Sequence, residues 1–345
     1  MTALGGYTPT TFIPVATAAP PEGPRSLEAN VDPGDRFFRI GTGATGVAVL
    51  ALMAAVGLFL SIQGAQALSK VGFHFLTIED WQPDRQHFGI AAVLTGTLLI
   101  ALVAVVVALP LSMGTALFIT EVAPARLRAS LIAMVDLMAA VPSVVYGLWG
   151  LFFFQGKIIG LSRWFAAWFS WIPLFKVDGA SAHSALPNAT VFTASSFIAG
   201  LVVALMVMPI QCSVMREVFS QVPSGEREGA FALGSTRWGM IRIVSLPFGR
   251  GGIIGGTMLG LGRALGETIA VVLIISPVFH LNFHLLQSGS NSVSSLIALR
   301  YSEASGFGLS ALMAAGLALF VLTLCVNYVA SIFIERARSG ATSEA

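Results

Sequence analysis

Charge is what this sequence has least of. Asp, Glu, Lys and Arg make up 10% of its 345 residues, where soluble domains carry roughly 25%. Set beside 55% hydrophobic residues, that scarcity excludes a soluble globular domain and indicates a polytopic membrane protein. Lysine is nearly missing: Lys70, Lys157 and Lys176 are followed by Val, Ile and Val. A Walker A loop needs Gly-Lys followed by Ser or Thr, because the lysine reaches the phosphates and the hydroxyl holds magnesium. The chain therefore hydrolyses no ATP of its own through a P-loop. The two cysteines, Cys212 and Cys325, fall in apolar runs, which leaves neither a disulfide framework nor a cysteine metal site. A net charge of +2 supplies no argument for nucleic acid as a partner.

What is present is a series of long apolar runs. Residues 1 to 35 carry prolines at 9, 14, 20, 21, 24 and 33 and too few large apolar residues to bury, so a disordered tail is expected. Six runs follow, at about 38 to 61, 90 to 119, 131 to 155, 192 to 214, 252 to 277 and 309 to 334. Each is long enough for the ~20 helical residues that span a ~30 Å hydrocarbon core, and in lipid the helix is the default because it satisfies its own backbone. The fold expected is an all-α polytopic membrane protein with six transmembrane helices. Residues 36 to 89 form the first span and an external loop, 90 to 334 the core, and 335 to 345 a short tail.

With the N-terminus inside, twelve Lys and Arg fall on the cytoplasmic side and six outside, Arg263 remaining in the membrane. The positive-inside rule then puts both termini in the cytoplasm. A cleaved signal peptide ending near Ala65-Gln66-Ala67 is the alternative for the first span, but its apolar run exceeds a usual signal core. Trp164, Trp168 and Trp171, at i, i+4, i+7 spacing, read as a helix lying at the membrane surface. The Ser/Gly/Asn-rich stretch near 288 to 295 reads as an ordinary external connection.

Some patterns are decoys. Gly41-Thr42-Gly43-Ala44-Thr45-Gly46 fits the dinucleotide fingerprint but opens a span with no preceding strand. His280 and His284 share a spacing of four, yet no acidic pair completes a metal site. Gly252, Gly256 and Gly260, like Gly262 and Gly266, repeat every four residues and let a neighbouring helix approach closely.

The segment from Pro223 to Pro247 is a charged, helical elbow between two spans, with Ser224 expected as N-cap, Glu226 and Glu228 in the first turn, and Pro247 expected to break the helix before the membrane. Glu228-Gly229-Ala230-Phe231-Ala232-Leu233-Gly234, nine residues, then Val244-Ser245-Leu246-Pro247 resembles the EAA motif of import-type ABC transporter permeases. Glu228, Ala230, Gly234, Leu246 and Pro247 match that pattern; Gly229 and Val244 replace its Ala and Ile. The resemblance implies a type I ABC importer permease fold whose coupling helix, within about 224 to 247, docks Glu228 to Gly234 on an ATPase subunit. Gly262-Arg263-Ala264-Leu265-Gly266-Glu267-Thr268 and Val141-Pro142-Ser143-Val144-Val145-Tyr146-Gly147 are similar to phosphate-importer permeases of the Pst type, on the PstC side rather than the PstA side.

That similarity implies a subunit of an inorganic phosphate importer in a bacterial inner membrane. Its implied partners are a PstA-like permease, a PstB-like ATPase dimer that holds the ATP and magnesium, and an extracytoplasmic phosphate-binding protein. Arg263 and Glu267 are the candidates for the substrate path or its gate. An arginine fork matches phosphate oxygens and stays charged at any relevant pH, and a glutamate four residues on shares its helix face and can compensate it. The same two residues admit a purely structural ion pair. Asp136, near the end of the third span, is expected to be solvated. The rival readings are a permease of the same fold for sulfate or molybdate, and an ion-coupled secondary transporter using Asp136, Arg263 and Glu267 as a relay.

Overall fold

The computed structural model describes residues 33–177, 189–304 and 306–339, with the side chains of 33, 189, 330 and 333–339 outside that description. Of the tail expected over 1 to 35, residues 1 to 32 lie outside it and 33–35 begin the first helix; the last stretch, 340–345, also lies outside it. Two units are distinguished, Met1–Ala54 and Ala55–Ala345.

In the first unit the described residues are one helical stretch, the start of α1 (Pro33–Val71). Its threonines fold back on the helix, Thr42 onto Phe38 O and Thr45 onto Gly41 O. A Cβ added at Gly41, Gly43 or Gly46 would meet nothing within 4 Å among the described residues. These glycines are wound into the helix, so the fingerprint-like pattern forms no phosphate loop. The helix extends beyond the apolar run at both ends, because nothing in Gln63 to Val71 breaks it. Gly72, at φ +59°, then ends it in the left-handed conformation that glycine tolerates.

The second unit is built around α2 (Ala91–Leu117) and α6 (Ser196–Ser220), which pack along each other, with α10 (Arg250–Gly266) laid against both. Ile100, Ala104, Ile198, Val202 and Val207 interlock at the centre. Between α2 and α6 in the chain come α3 (Ala125–Ala140), α4 (Ser143–Trp149) and α5 (Gln155–Phe169). Between α6 and α10 come α7 (Ser224–Ala232), α8 (Arg237–Met240) and α9 (Leu246–Phe248). After α10 come α11 (Ile269–Ile274), α12 (Val293–Arg300) and α13 (Phe307–Ser339). A short hairpin, β1 (Trp81–Gln82) with β2 (His87–Phe88), pairs Trp81 with Phe88. Phe88 is buried edge-on against Phe75, Trp81 and Phe307. The stretch expected as a plain external loop is thus folded onto the start of α13.

Among the described residues, five helical segments are long and apolar enough to cross a membrane: Gly34–Leu76, Ala91–Val122, Ser143–Phe169, Ser196–Ser220 and Phe307–Val329. Two expectations shift. The third run does not form one span over 131 to 155, because Pro142 removes an N–H and forces Val141 extended, at ψ 127°, ending α3 there. The span instead continues from Ser143 through a π-helical turn at Gly150–Phe154 into α5. Trp164 and Trp168 ride on that continuing helix and Trp171 just past its end, all exposed, rather than on a separate surface helix. The fifth run, 252 to 277, is two helices broken at Glu267, which is why it is not among these five continuous segments. Cys212 is buried and Cys325 exposed on its span.

Candidate functional site

The elbow is positioned by chemistry that runs to both sides of α7. Its N-cap is Pro223, not Ser224, and Glu226 alone stands in its first turn. Its C-terminus closes as a Schellman motif: Gly234 N–H donates to Phe231 O at 2.9 Å and Ser235 N–H to Ala230 O at 3.1 Å. That closure places Gly234 at φ +81°, where an L side chain is strained. The glycine of the motif is thus required by the backbone. Thr236 then caps α8, accepting from Gly239 N–H at 3.1 Å.

One face of α7 is tied down and the other is free. Arg227 donates to Glu121 Oε1 at 3.0 Å and to Phe219 O at 2.9 Å, and Ser245 Oγ–H donates to the same carboxylate oxygen at 3.1 Å. The Glu121 side chain is only 4% exposed. It lies in the π-helical turn Phe118–Val122 that ends α2, so a single buried carboxylate joins the span, the elbow and the turn leading to α9. On the opposite face Glu228, Gly229, Phe231, Ala232 and Gly234 are exposed, and Leu233 is 91% exposed. Ala230 is half-buried against the core cluster with Leu246. Pro247 does not break the helix as expected. The chain winds from Arg237 to Gly266 almost without interruption, and the wider turn Ile241–Ser245 shifts the backbone where Pro247 cannot donate.

In α10 the glycines divide into two faces with different neighbours. A Cβ at Gly252 would meet Val218, at Gly256 Gln211 O and Met215, and at Gly260 Val207 and the Gln211 amide. These glycines let α10 lie directly on α6, as their spacing suggests. A Cβ at Gly266 would meet nothing within 4 Å among the described residues, and one at Gly262 only Asn327 Oδ1 at 3.8 Å. Arg263, on this open side, is exposed and lines a groove of about 270 Å³ with Ile210, Met258, Leu259, Gly262 and Asn327.

The expected i, i+4 pairing of Arg263 with Glu267 does not form. Helix α10 ends at Gly266, and Glu267 turns extended at ψ 126°, which takes its side chain off the helix face. Its carboxylate instead accepts from Ala270 N–H at 3.2 Å and caps α11, while its carbonyl accepts from Ser294 Oγ at 2.8 Å. Asp136 is 55% exposed and 4.0 Å from Arg216, in keeping with a solvated carboxylate.

The serine-rich segment, expected as an ordinary external connection, is buried. Ser290, Asn291, Ser292, Ser294 and Ser295 are each at most 8% exposed, so the supposed external connection is interior. Ser290 bonds Ser196 at 2.7 Å, and Val293 N–H donates to Thr97 Oγ1 at 3.0 Å. Gly96 leaves room for the Asn291 carbonyl, which a Cβ there would strike. Composition alone cannot separate such a segment from a solvated loop, because serine and asparagine favour turns in both. Gly96, Thr97 and Ser196 on the facing helices were the available hint.

A bundle built almost entirely of helices, several long and apolar enough to cross a membrane, with a projecting elbow, has the architecture of a polytopic membrane protein, and its sequence relatives give its class. Residues 108–339 match the family described as the binding-protein-dependent transport system inner membrane component, and the chain belongs to that family. Within it, the chain is 40% identical over 308 residues to the phosphate transport system permease protein PstC of Pasteurella multocida, covering 87% of this chain and 91% of that one. It is 38% identical over 301 residues to PstC 2 of Mycobacterium tuberculosis, covering 86% and 90%. The fold is similar to a bacterial ABC transporter involved in import of the acidic polysaccharide alginate, at TM-score 0.58, 17% identity and coverage of 87% and 96%.

Proposed function

We propose that this chain is the transmembrane permease subunit of an ATP-driven importer of inorganic phosphate, supplying the translocation path and the coupling to a separate ATPase. The observation that carries this reading is the likeness to phosphate permeases along 87% of the chain; the elbow, with one face anchored and the other offered outward, supports the coupling role. In this reading the exposed face of Glu228, Gly229 and Gly234, with Leu233, seats in a groove of a PstB-like ATPase dimer, which holds ATP and magnesium. Ala230 and Leu246 support that helix from behind, and Pro247, exposed at the far end of the elbow, completes the coupling segment. A PstA-like permease covers the open side of α10, and a phosphate-binding protein delivers substrate from outside to a chain whose termini are both cytoplasmic.

Closure of the ATPase dimer moves α7. Because Glu121 links α7 to the end of α2, the motion enters the membrane bundle as a displacement of a whole helix. Arg263 then offers a charged, forked donor to a passing oxyanion, and the break at Glu267 gives α10 and α11 a hinge about which the path opens and closes. The test is uptake of labelled phosphate in a host lacking its own phosphate importer, with the chain expressed beside its neighbouring ATPase, permease and binding protein. Uptake restored for phosphate supports the reading. Uptake of sulfate or molybdate without phosphate overturns the substrate, and transport in the absence of any ATPase overturns the class.

A further inference from the structure

Helix α13 carries a single asparagine, Asn327, inside the apolar crossing Phe307–Val329. Its side chain is exposed and makes no hydrogen bond among the described residues. Every other residue from Phe320 to Val329 apart from Thr323 and Tyr328 is apolar, so this amide stands alone on its turn of helix. An amide without a partner is costly in hydrocarbon, and an asparagine in a span is kept where something polar meets it.

The surroundings say what that is. Asn327 lines the same groove of about 270 Å³ as Arg263, and the rest of the lining is Ile210, Met258, Leu259 and Gly262. No carboxylate stands there, and Arg263 has neither a hydrogen bond nor an ion pair among the described residues. An uncompensated guanidinium in a span is expensive unless it faces water or an anion, and here its donors are all uncommitted. Gly262, next to Arg263, keeps the groove open between α10 and α13: a Cβ there would meet Asn327 Oδ1 at 3.8 Å and nothing else within 4 Å. The two polar groups also differ usefully. A guanidinium only donates, whereas an amide both donates and accepts. An oxyanion that keeps one proton needs both, and Asn327 holds the only side-chain oxygen in this lining.

We infer that Asn327 is a second side chain of the anion path, contacting the passing oxyanion together with Arg263 across the groove between α10 and α13. This rests on the transport reading proposed above, to which it adds a residue from a different helix.

Asn327→Leu tests it, because leucine keeps the size of the side chain and removes both polar ends. In the assembled transporter, reconstituted in vesicles with inorganic phosphate as the probe, uptake is expected to fall about tenfold, the loss of one hydrogen bond to a charged group, with the second permease still co-purifying. Asn327→Gln, which keeps the amide, is expected to recover part of the rate. Uptake at the parent rate in Asn327→Leu overturns the inference, and so does loss of the second permease from that variant, which would make Asn327 a bond between chains. A measurement independent of rate uses Asn327→Cys with Cys325→Ala, Cys212 being buried. A charged thiol reagent reaches a cysteine through water and not through lipid, so labelling of this chain during turnover is expected, and its absence overturns the assignment. If the parent complex carries sulfate instead of phosphate, the substrate reading fails, while the same variants measured with sulfate still decide whether Asn327 lies in the path.

Discussion

Arg227 Nη2 lies 3.0 Å from Glu121 Oε1, across 106 residues of chain. This contact sets the elbow on the end of α2, and Ser245 supplies a second donor to the same carboxylate oxygen. Of the residues that resemble a known motif, Glu228, Gly229 and Gly234 are exposed while Ala230 and Leu246 pack against the core. The ion pair that ties the helix down uses Arg227, which is not one of them.

Truncating Arg227 to Ala should therefore cost about 3 kcal/mol, because it leaves the Glu121 carboxylate buried with only Ser245 as partner. Glu121→Gln should cost only ~1 kcal/mol, since an amide oxygen still accepts from Arg227 and Ser245. The informative measurement is the ratio of phosphate carried to ATP hydrolysed in the reconstituted complex. We expect Glu121→Gln to lower that ratio while the complex assembles, and an unaltered ratio would show that the joint is not part of coupling.

Gly234 sits at φ +81°. Gly234→Ala should destabilise the elbow by ~1–2 kcal/mol and Gly234→Asn by less, as asparagine tolerates the left-handed region. Co-purification with the ATPase should fall most for alanine and less for asparagine. Equal retention by glycine, asparagine and alanine would separate the turn from docking.

At Gly260, Ala places a methyl against Val207 and the Gln211 amide, an overpacking worth ~1–3 kcal/mol. Gly251, whose Cβ direction is open, should accept Ala at no cost and gain up to ~1 kcal/mol of helix propensity. Thermal unfolding of the two purified variants in detergent tests this, a lower Tm being expected for Gly260→Ala alone.

Arg263→Ala should abolish phosphate uptake without loss of assembled protein, and Arg263→Lys should restore only part of it, since lysine lacks the planar fork. Glu267→Gln retains an oxygen to cap Ala270 N–H and should keep stability, whereas Glu267→Ala should lose ~1 kcal/mol with the cap. If Glu267→Gln also transports at the parent rate, the residue is a cap and not a gate. Unchanged uptake in Arg263→Ala would remove that arginine from the path.

Much of the architecture is legible along the chain because a membrane imposes a length and a polarity on each segment separately. The runs that became α2, α6 and α13 were readable from composition alone, and so was the close approach of Gly252, Gly256 and Gly260 to another helix. The elbow was legible from its charged residues and from its resemblance to the EAA motif, and the left-handed turn at Gly234 shows what that glycine does in the backbone. The misplacements have local causes: Pro142 outweighed the apolar run around it, while the widened turn at Ile241–Ser245 made room for Pro247.

The sequence by itself determined that this is a helical membrane protein with a helical elbow and an unusual arginine in its fifth apolar run, since each of those depends on residues near one another in the chain. Tertiary structure alone decided that Glu121 meets Arg227, that Glu267 caps a second helix rather than balancing Arg263, and that Asn291 is buried with a donor to spare. Each of these turns on which distant groups share a desolvated space. For a polar side chain that choice of partner outweighs any local preference, because an unpaired group there has no water to fall back on.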